Sequence, residues 1–159
     1  MIDSWIHDNY LLISVGSGLS PMLGLYESIV AKQQATSKIA MLFGERYINH
    51  ILPSTLELFK KDNENIFRRL CLSRQERPIA LDKENSESQV DISTKKNNLR
   101  PVAYAKKGYV QTGLDEAMEF LGTKEISVFI CGKPEMVDDV RGKLVEKWVD
   151  TKNIKFEKY

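Results

Sequence analysis

Short apolar runs alternate with stretches of helical periodicity along this chain. Tyr10-Leu11-Leu12-Ile13-Ser14-Val15 is almost continuously apolar and stops at Gly16. A run of that length closed by glycine predicts a strand buried on both faces. Pro21 suits the first turn of a helix, where its missing N–H costs nothing. Met22, Leu25, Tyr26, Ile29 and Val30 then recur at helical spacing. Ile39-Ala40-Met41-Leu42-Phe43 predicts a second strand, closed by Gly44, and Leu56 and Phe59 a second helix that starts near Pro53. The strand pattern of Ile66 to Leu72 is interrupted by Arg68 and Arg69.

The stretch from Asp82 to Asn98 breaks the rhythm, with only Val90 and Ile92 strongly apolar. Burial cannot offset its ordering entropy, so it is expected to be a mobile surface loop. It lies within a polar insertion spanning about 76–105. Patterning resumes with Leu114, Ala117, Met118 and Leu121, a helix ending at Gly122. Ile126 to Cys131 predicts another buried strand, ending at Gly132, and Pro134 opens the last long helix. Met136, Val140, Leu144 and Trp148 recur along that helix every fourth residue, and Ile154 and Phe156 fit a short final strand. The alternation implies a three-layer αβα architecture with a five-stranded parallel sheet. Ligands of such sheets bind at the carboxyl ends of the strands, where strand order reverses. Residues just after strands are therefore the candidates for function.

The 159 residues make one domain, 1–159, and 42% hydrophobic with 28% charged residues is an ordinary soluble composition. A formal net charge of +1 gives no support for a nucleic-acid or membrane-surface role, both of which need a basic excess. No apolar run approaches the ~20 residues that span a bilayer. Met1 to Trp5 lacks the basic start and apolar stretch of a signal peptide. Cys71 and Cys131 each sit in an apolar run. They are expected to be buried free thiols in a reducing compartment, the cytoplasm or an organelle interior, and they form no zinc-type pair.

Four groups of residues stand out as candidates. Gly16-Ser17-Gly18-Leu19-Ser20-Pro21 leaves the first strand and opens the first helix. Glycines there allow a tight turn and close approach to a ligand, and the helix N-terminus favours a phosphate. Pro21 stands where the dinucleotide fingerprint has its third glycine. Taken alone, the turn reads equally as a plain strand-to-helix connection. Cys131-Gly132-Lys133-Pro134 repeats the glycine exit and proline entry. An isolated cysteine there reads as a small buried hydrophobe. Ser73 and Arg74 follow the third strand, and Lys107 and Tyr109 follow the insertion. An arginine fork, a lysine and two hydroxyls can hold a phosphate monoester, although each alone is an ordinary surface residue. The chain closes on Phe156-Glu157-Lys158-Tyr159.

In this order, the groups resemble the nucleotide-binding domain of the ferredoxin–NADP reductase family. Gly16 to Pro21 is similar to that family's G-T-G-x-x-P turn, with Ser17 for the threonine. Leu72-Ser73-Arg74 resembles its S-R segment, and Lys107-Gly108-Tyr109-Val110-Gln111-Thr112 its K-x-Y-I-Q-T run. Cys131-Gly132 matches its C-G pair and Glu157-Lys158-Tyr159 its closing E-x-Y. The resemblance covers about Leu11 to Tyr159, the insertion excepted.

The resemblance implies a Rossmann-like fold of the C-terminal, NADP-linked type. It also implies an oxidoreductase passing hydride between NADP(H) and FAD held by a preceding flavin domain or subunit. Electrons would go on to a carrier such as ferredoxin or flavodoxin. By position, the Gly16–Pro21 turn would hold the pyrophosphate, and Ser17 and Cys131 would flank the nicotinamide. Gly132, Lys133, Pro134 and Gln111 belong to the same cofactor-binding set. Ser73, Arg74, Lys107 and Tyr109 would bind the 2′-phosphate and adenosine, favouring NADP(H) over NAD(H). Glu45 could serve an NAD ribose, but Gly44 and Arg46 fit the family's G-x-R variation, with Arg46 on cofactor phosphate. Tyr159 would stack on the flavin and yield to nicotinamide, with Glu157 beside it in the catalytic set.

The flavin domain, marked by an R-x-Y-[ST] segment, is expected to be absent from this chain. Met1 is then expected to be an imposed start, and the chain half of a working enzyme. A non-catalytic nucleotide-binding or interaction module is the alternative. A flavodoxin-like FMN carrier is disfavoured, because its phosphate loop would be rich in Ser and Thr throughout.

Overall fold

The computed structural model describes residues 7–32, 36–74 and 104–159. Among them, six strands form one sheet: β1 Tyr10–Val15, β2 Ile39–Glu45, β3 Ile66–Leu72, β4 Ala105–Lys107, β5 Ser127–Gly132 and β6 Ile154–Lys158. Their order is β4-β3-β2-β1-β5-β6, and every pairing is parallel. Four helices accompany them: α1 Leu19–Lys32, α2 Pro53–Lys60, α3 Leu114–Leu121 and α4 Pro134–Glu146.

The period-2 geometry of the strands divides the core between two faces. Leu11 and Ile13 of β1 join a cluster with Leu114 and Ala117 of α3 and Val137, Val140 and Leu144 of α4. Tyr10 and Leu12 face the other way, with Met22 and Ile29 of α1 and Phe59 of α2. Helices cover both faces, so the central strands read as unbroken apolar runs.

The sheet has six strands where five were expected. The extra one, β4, pairs Ala105 with Leu70 and Lys107 with Leu72 at the sheet edge. Ala-Lys-Lys carries no apolar pattern, and lysines on an edge strand deter pairing with other chains. The expected mobile loop, Asp82 to Asn98, lies outside the described residues. Of the broader insertion, Tyr104 is buried and Ala105 opens β4.

Two further expectations are corrected. Gly44 does not close β2, which continues to Glu45. A methyl group there would lie 2.8 Å from both Val15 and Val110, so glycine serves close packing. Trp148 does not continue the apolar stripe of α4. It is 77% exposed and adopts φ +67 just beyond the helix. Trp148 N–H donates to Val145 O and Val149 N–H to Leu144 O. That pair of bonds is a Schellman ending, with tryptophan at the left-handed position where glycine is usual.

The two arginines of β3 are accommodated by partners. Arg68 donates to Lys61 O at 2.7 Å and to the Tyr26 hydroxyl at 3.0 Å, and Arg69 pairs with Glu116.

Candidate functional site

Strand order reverses at β1, which lies between β2 and β5. A cleft of about 550 Å³ opens at the carboxyl ends of the strands around this point. Its base is apolar and closely packed, with Val15, Val110 and Met136 among its lining. The lack of a side chain at Gly132 permits this, because a methyl group there would collide with Met136 and lie 2.7 Å from Val15.

The chain leaves β1 through a single 3-10 turn, Gly16–Gly18, that runs straight into α1. Gly16 has φ +53, a conformation natural to glycine, and lines the cleft. Leu19 N–H donates to Gly16 O. A methyl group on Gly18 would stand 2.6 Å from the carbonyl oxygen of Cys131, so the turn rests directly on the end of β5. Ser17 is exposed beside it, and Leu19, Ser20 and Pro21 are the first three residues of α1. None of Ser17 to Pro21 lines the cleft itself.

On one flank, pairing continues past the strand ends. Ser73 N–H donates to Glu45 O at 2.9 Å and Arg74 N–H to Arg46 O at 3.0 Å. Arg46 and Ser73 line the cleft. Arg74 and Lys107 are exposed just outside it. Lys107 is in register with Leu72, and Gly108 N–H donates to Leu72 O at 3.0 Å. Arg74 and Lys107 thus occupy adjacent strand ends despite the insertion between them in sequence. The Glu45 carboxylate lines the cleft, accepts from Arg46 N–H at 2.7 Å and lies 3.5 Å from His50 Nδ1.

Gly108, at φ +128, swings the chain so that Tyr109 lies over the rim, 68% exposed. Thr112 Oγ1 donates to Tyr109 O at 2.7 Å. Lys106 Nζ holds the following turn, donating to Thr112 O at 2.9 Å and Glu116 at 2.7 Å. Cys71 lies beneath, where burial pushes its thiol up to about 11.

The opposite flank is α4. Lys133 and Glu135 line the cleft there, with Pro134 as the first helical residue. Asp139 lies a turn further on and accepts a hydrogen bond from Gln111 Nε2 at 2.8 Å. Tyr159 closes one end, its hydroxyl donating to Val15 O.

Cys131 is only 3% exposed and sits behind Gly18 rather than in the lining. Glu157 is its register partner in β6. Burial, and secondarily the Glu157 carboxylate, push the Cys131 thiol up. Both cysteines are free.

Of the residues selected from sequence, the cleft gathers Gly16, Arg46, Ser73, Tyr109, Gln111, Lys133 and Tyr159. Glu135, Met136 and Asp139 were not anticipated. Finding them requires knowing which side of α4 faces α3, and no motif marks that. Among the described residues, no group of three or more His, Cys, Asp or Glu could hold a metal ion. No helix among them is long and apolar enough to cross a membrane.

Around the cleft stand the glycine turn before the α1 N-terminus, cations at Arg46 and Lys133, carboxylates at Glu45, Glu135 and Asp139, and an aromatic ring at either end. The glycine turn and the two cations suit the anionic groups of an extended ligand. No curated protein sequence matches the chain. Solved structures similar to it include Amycolatopsis cytochrome P450 reductase GcoB, with 18% identity and a TM-score of 0.65. That match covers 94% of this chain and 37% of the reductase. Plasmodium falciparum ferredoxin-NADP+ reductase is 21% identical with a TM-score of 0.61, over 95% of this chain and 52% of that one. The CS-b5R domains of human Ncb5or in the NAD+ form are 17% identical with a TM-score of 0.61, over 93% and 36%. The chain thus spans about half or less of each of these proteins, and at such identities the likeness is one of fold. The model of the oxidoreductase NAD-binding domain matches residues 12–142, most of the sheet and all four helices in whole or large part, and the chain belongs to that family.

Proposed function

We propose that this domain binds NADP(H) for a flavin-dependent oxidoreductase. The single observation that carries the reading is the glycine turn, Gly16–Gly18, seated against the end of β5 at the mouth of the cleft. A turn so close to its neighbouring strand leaves the α1 N-terminus free to meet a pyrophosphate, whose charge Arg46 and Lys133 offset. Family membership and the reductases of similar fold support the same reading.

Bound NADP(H) would supply the hydride, and the protein's part is to bind and orient it. Ser73, Arg74 and Lys107, on adjacent strand ends, would take the 2′-phosphate. Tyr109 offers its exposed ring to the adenine, with Gln111 beside it. Ser17 and Cys131 flank the nicotinamide end, and Gly132 and Pro134 shape the α4 side of it. Tyr159 and Glu157 stand where a flavin held by a preceding domain or subunit would approach. Electrons would then pass to a carrier such as ferredoxin or flavodoxin.

Glu45 favours a second reading, because a carboxylate in the cleft suits the free ribose hydroxyl of NAD(H). Calorimetric titration with 2′-phospho-AMP and 5′-AMP separates the two. NADP(H) specificity predicts roughly tenfold or more tighter binding of the phosphorylated ligand, an advantage that Arg74→Ala removes. Equal or reversed affinities would assign the site to NAD(H).

A further inference from the structure

We propose that Asp139 is a positioning residue for the nucleotide: it holds the Gln111 amide in one orientation and ties the turn before α3 to α4 across the cleft. The proposal rests on the reading of the cleft given above. Gln111 Nε2 donates to Asp139 Oδ2 at 2.8 Å across 28 positions of sequence, and both residues line the cleft. Their elements pack on one face of the sheet, where Val110 and Leu114 meet the same cluster as Val137 and Val140.

The chemistry of the pair sets the orientation. A carboxylate only accepts, so the amide must turn its NH₂ toward Asp139. Gln111 Oε1 is left buried and without a partner. A buried unpaired acceptor is costly, and the charge-assisted bond to Asp139 offsets that cost. The preceding acid is engaged elsewhere, since Asp138 pairs with Lys158 of β6 at 2.8 Å. Of these two consecutive acids, only Asp139 reaches the cleft.

The test is calorimetric titration of the full chain with NADP+, with the thermal midpoint of each nucleotide-free variant measured alongside. Gln111→Ala and Asp139→Ala should each weaken binding by up to roughly tenfold, the cost of ordering a side chain that the bond holds in place before the nucleotide arrives. The double variant should be no weaker than the weaker single one, because both remove the same bond. Asp139→Asn keeps an oxygen acceptor and should bind within about threefold of wild type. Should Asp139→Ala lower the thermal midpoint, Asp139→Asn against Gln111→Ala carries the comparison. Wild-type affinity in Asp139→Ala or in Gln111→Ala overturns the proposal. So do losses that multiply in the double variant, or an Asp139→Asn as weak as Asp139→Ala. A wild-type chain that binds no NADP+ overturns the reading of the cleft and this proposal with it.

Discussion

The hydroxyl of Tyr159 donates to the backbone carbonyl of Val15, joining residues 144 positions apart at the end of β1. Tyr159 N–H also donates to Gly132 O at 3.2 Å, carrying the β6 pairing one step past the strand. The ring therefore stands over the glycine turn, close enough that a methyl group on Gly16 would lie 3.2 Å from its hydroxyl. A nucleotide seated on this turn must share space with the ring or displace it. Tyr159→Ala should tighten NADP+ binding by about tenfold, the combined cost of releasing the latch and displacing the ring. Tyr159→Phe, which keeps the ring but loses the latch, should give a smaller gain. Calorimetry on both variants checks this, and weaker binding by Tyr159→Ala would contradict it.

Two glycines separated by less than two helical turns should respond in opposite ways to alanine. At Gly18 the new methyl group meets backbone, 2.6 Å from Cys131 O, which cannot move without shifting β5. Gly18→Ala should cost about 1–3 kcal/mol of stability, as overpacking does, and should abolish nucleotide binding. At Gly24, in α1, nothing lies within 4 Å of the added methyl group. Gly24→Ala should stabilise the fold by about 0.5–1 kcal/mol through helix propensity. Urea unfolding of the two variants reads both signs.

Cys71 makes stability depend on pH in the alkaline range. Burial raises its thiol from an ordinary 9.0 to about 11. Between those values the folded state holds a proton that the unfolded state has released, so unfolding free energy falls as pH rises. The contribution is complete below pH 9.0 and lost by about pH 11, and it amounts to roughly 2–3 kcal/mol. Denaturant unfolding at intervals across this window should show a shallower decline in Cys71→Ala than in wild type. Identical slopes would mean that the thiol titrates near its ordinary value in the folded protein.

Much of this fold could be read from apolar patterning, because β1, β2 and β5 are buried strands with little else in them. α3 was equally plain, with glycine at φ +66 just past its last residue, Leu121. β4 was hidden because an edge strand of Ala105, Lys106 and Lys107 has no face to bury, and only its register against Leu70 to Leu72 reveals it. Trp148 misled because an aromatic at a fourth-residue interval resembles a core position, while backbone bonding places it at the helix stop. In the cleft, residues at strand ends were accessible from topology alone. Asp139 was not, because its role depends on how α4 is rotated against the turn that carries Gln111.

The most direct measurement is amide mapping by heteronuclear NMR of the labelled chain during titration with NADP+. Binding at the carboxyl edge of the sheet predicts shifts confined to Gly16–Leu19, Glu45–Arg46, Ser73–Arg74, Lys107–Gln111, Cys131–Glu135, Asp139 and Tyr159. Amides at the opposite end, around Gly122, Lys124 and Trp148, should stay unmoved. Shifts centred on that opposite end, or none at saturating nucleotide, would contradict the assignment of this cleft to NADP(H).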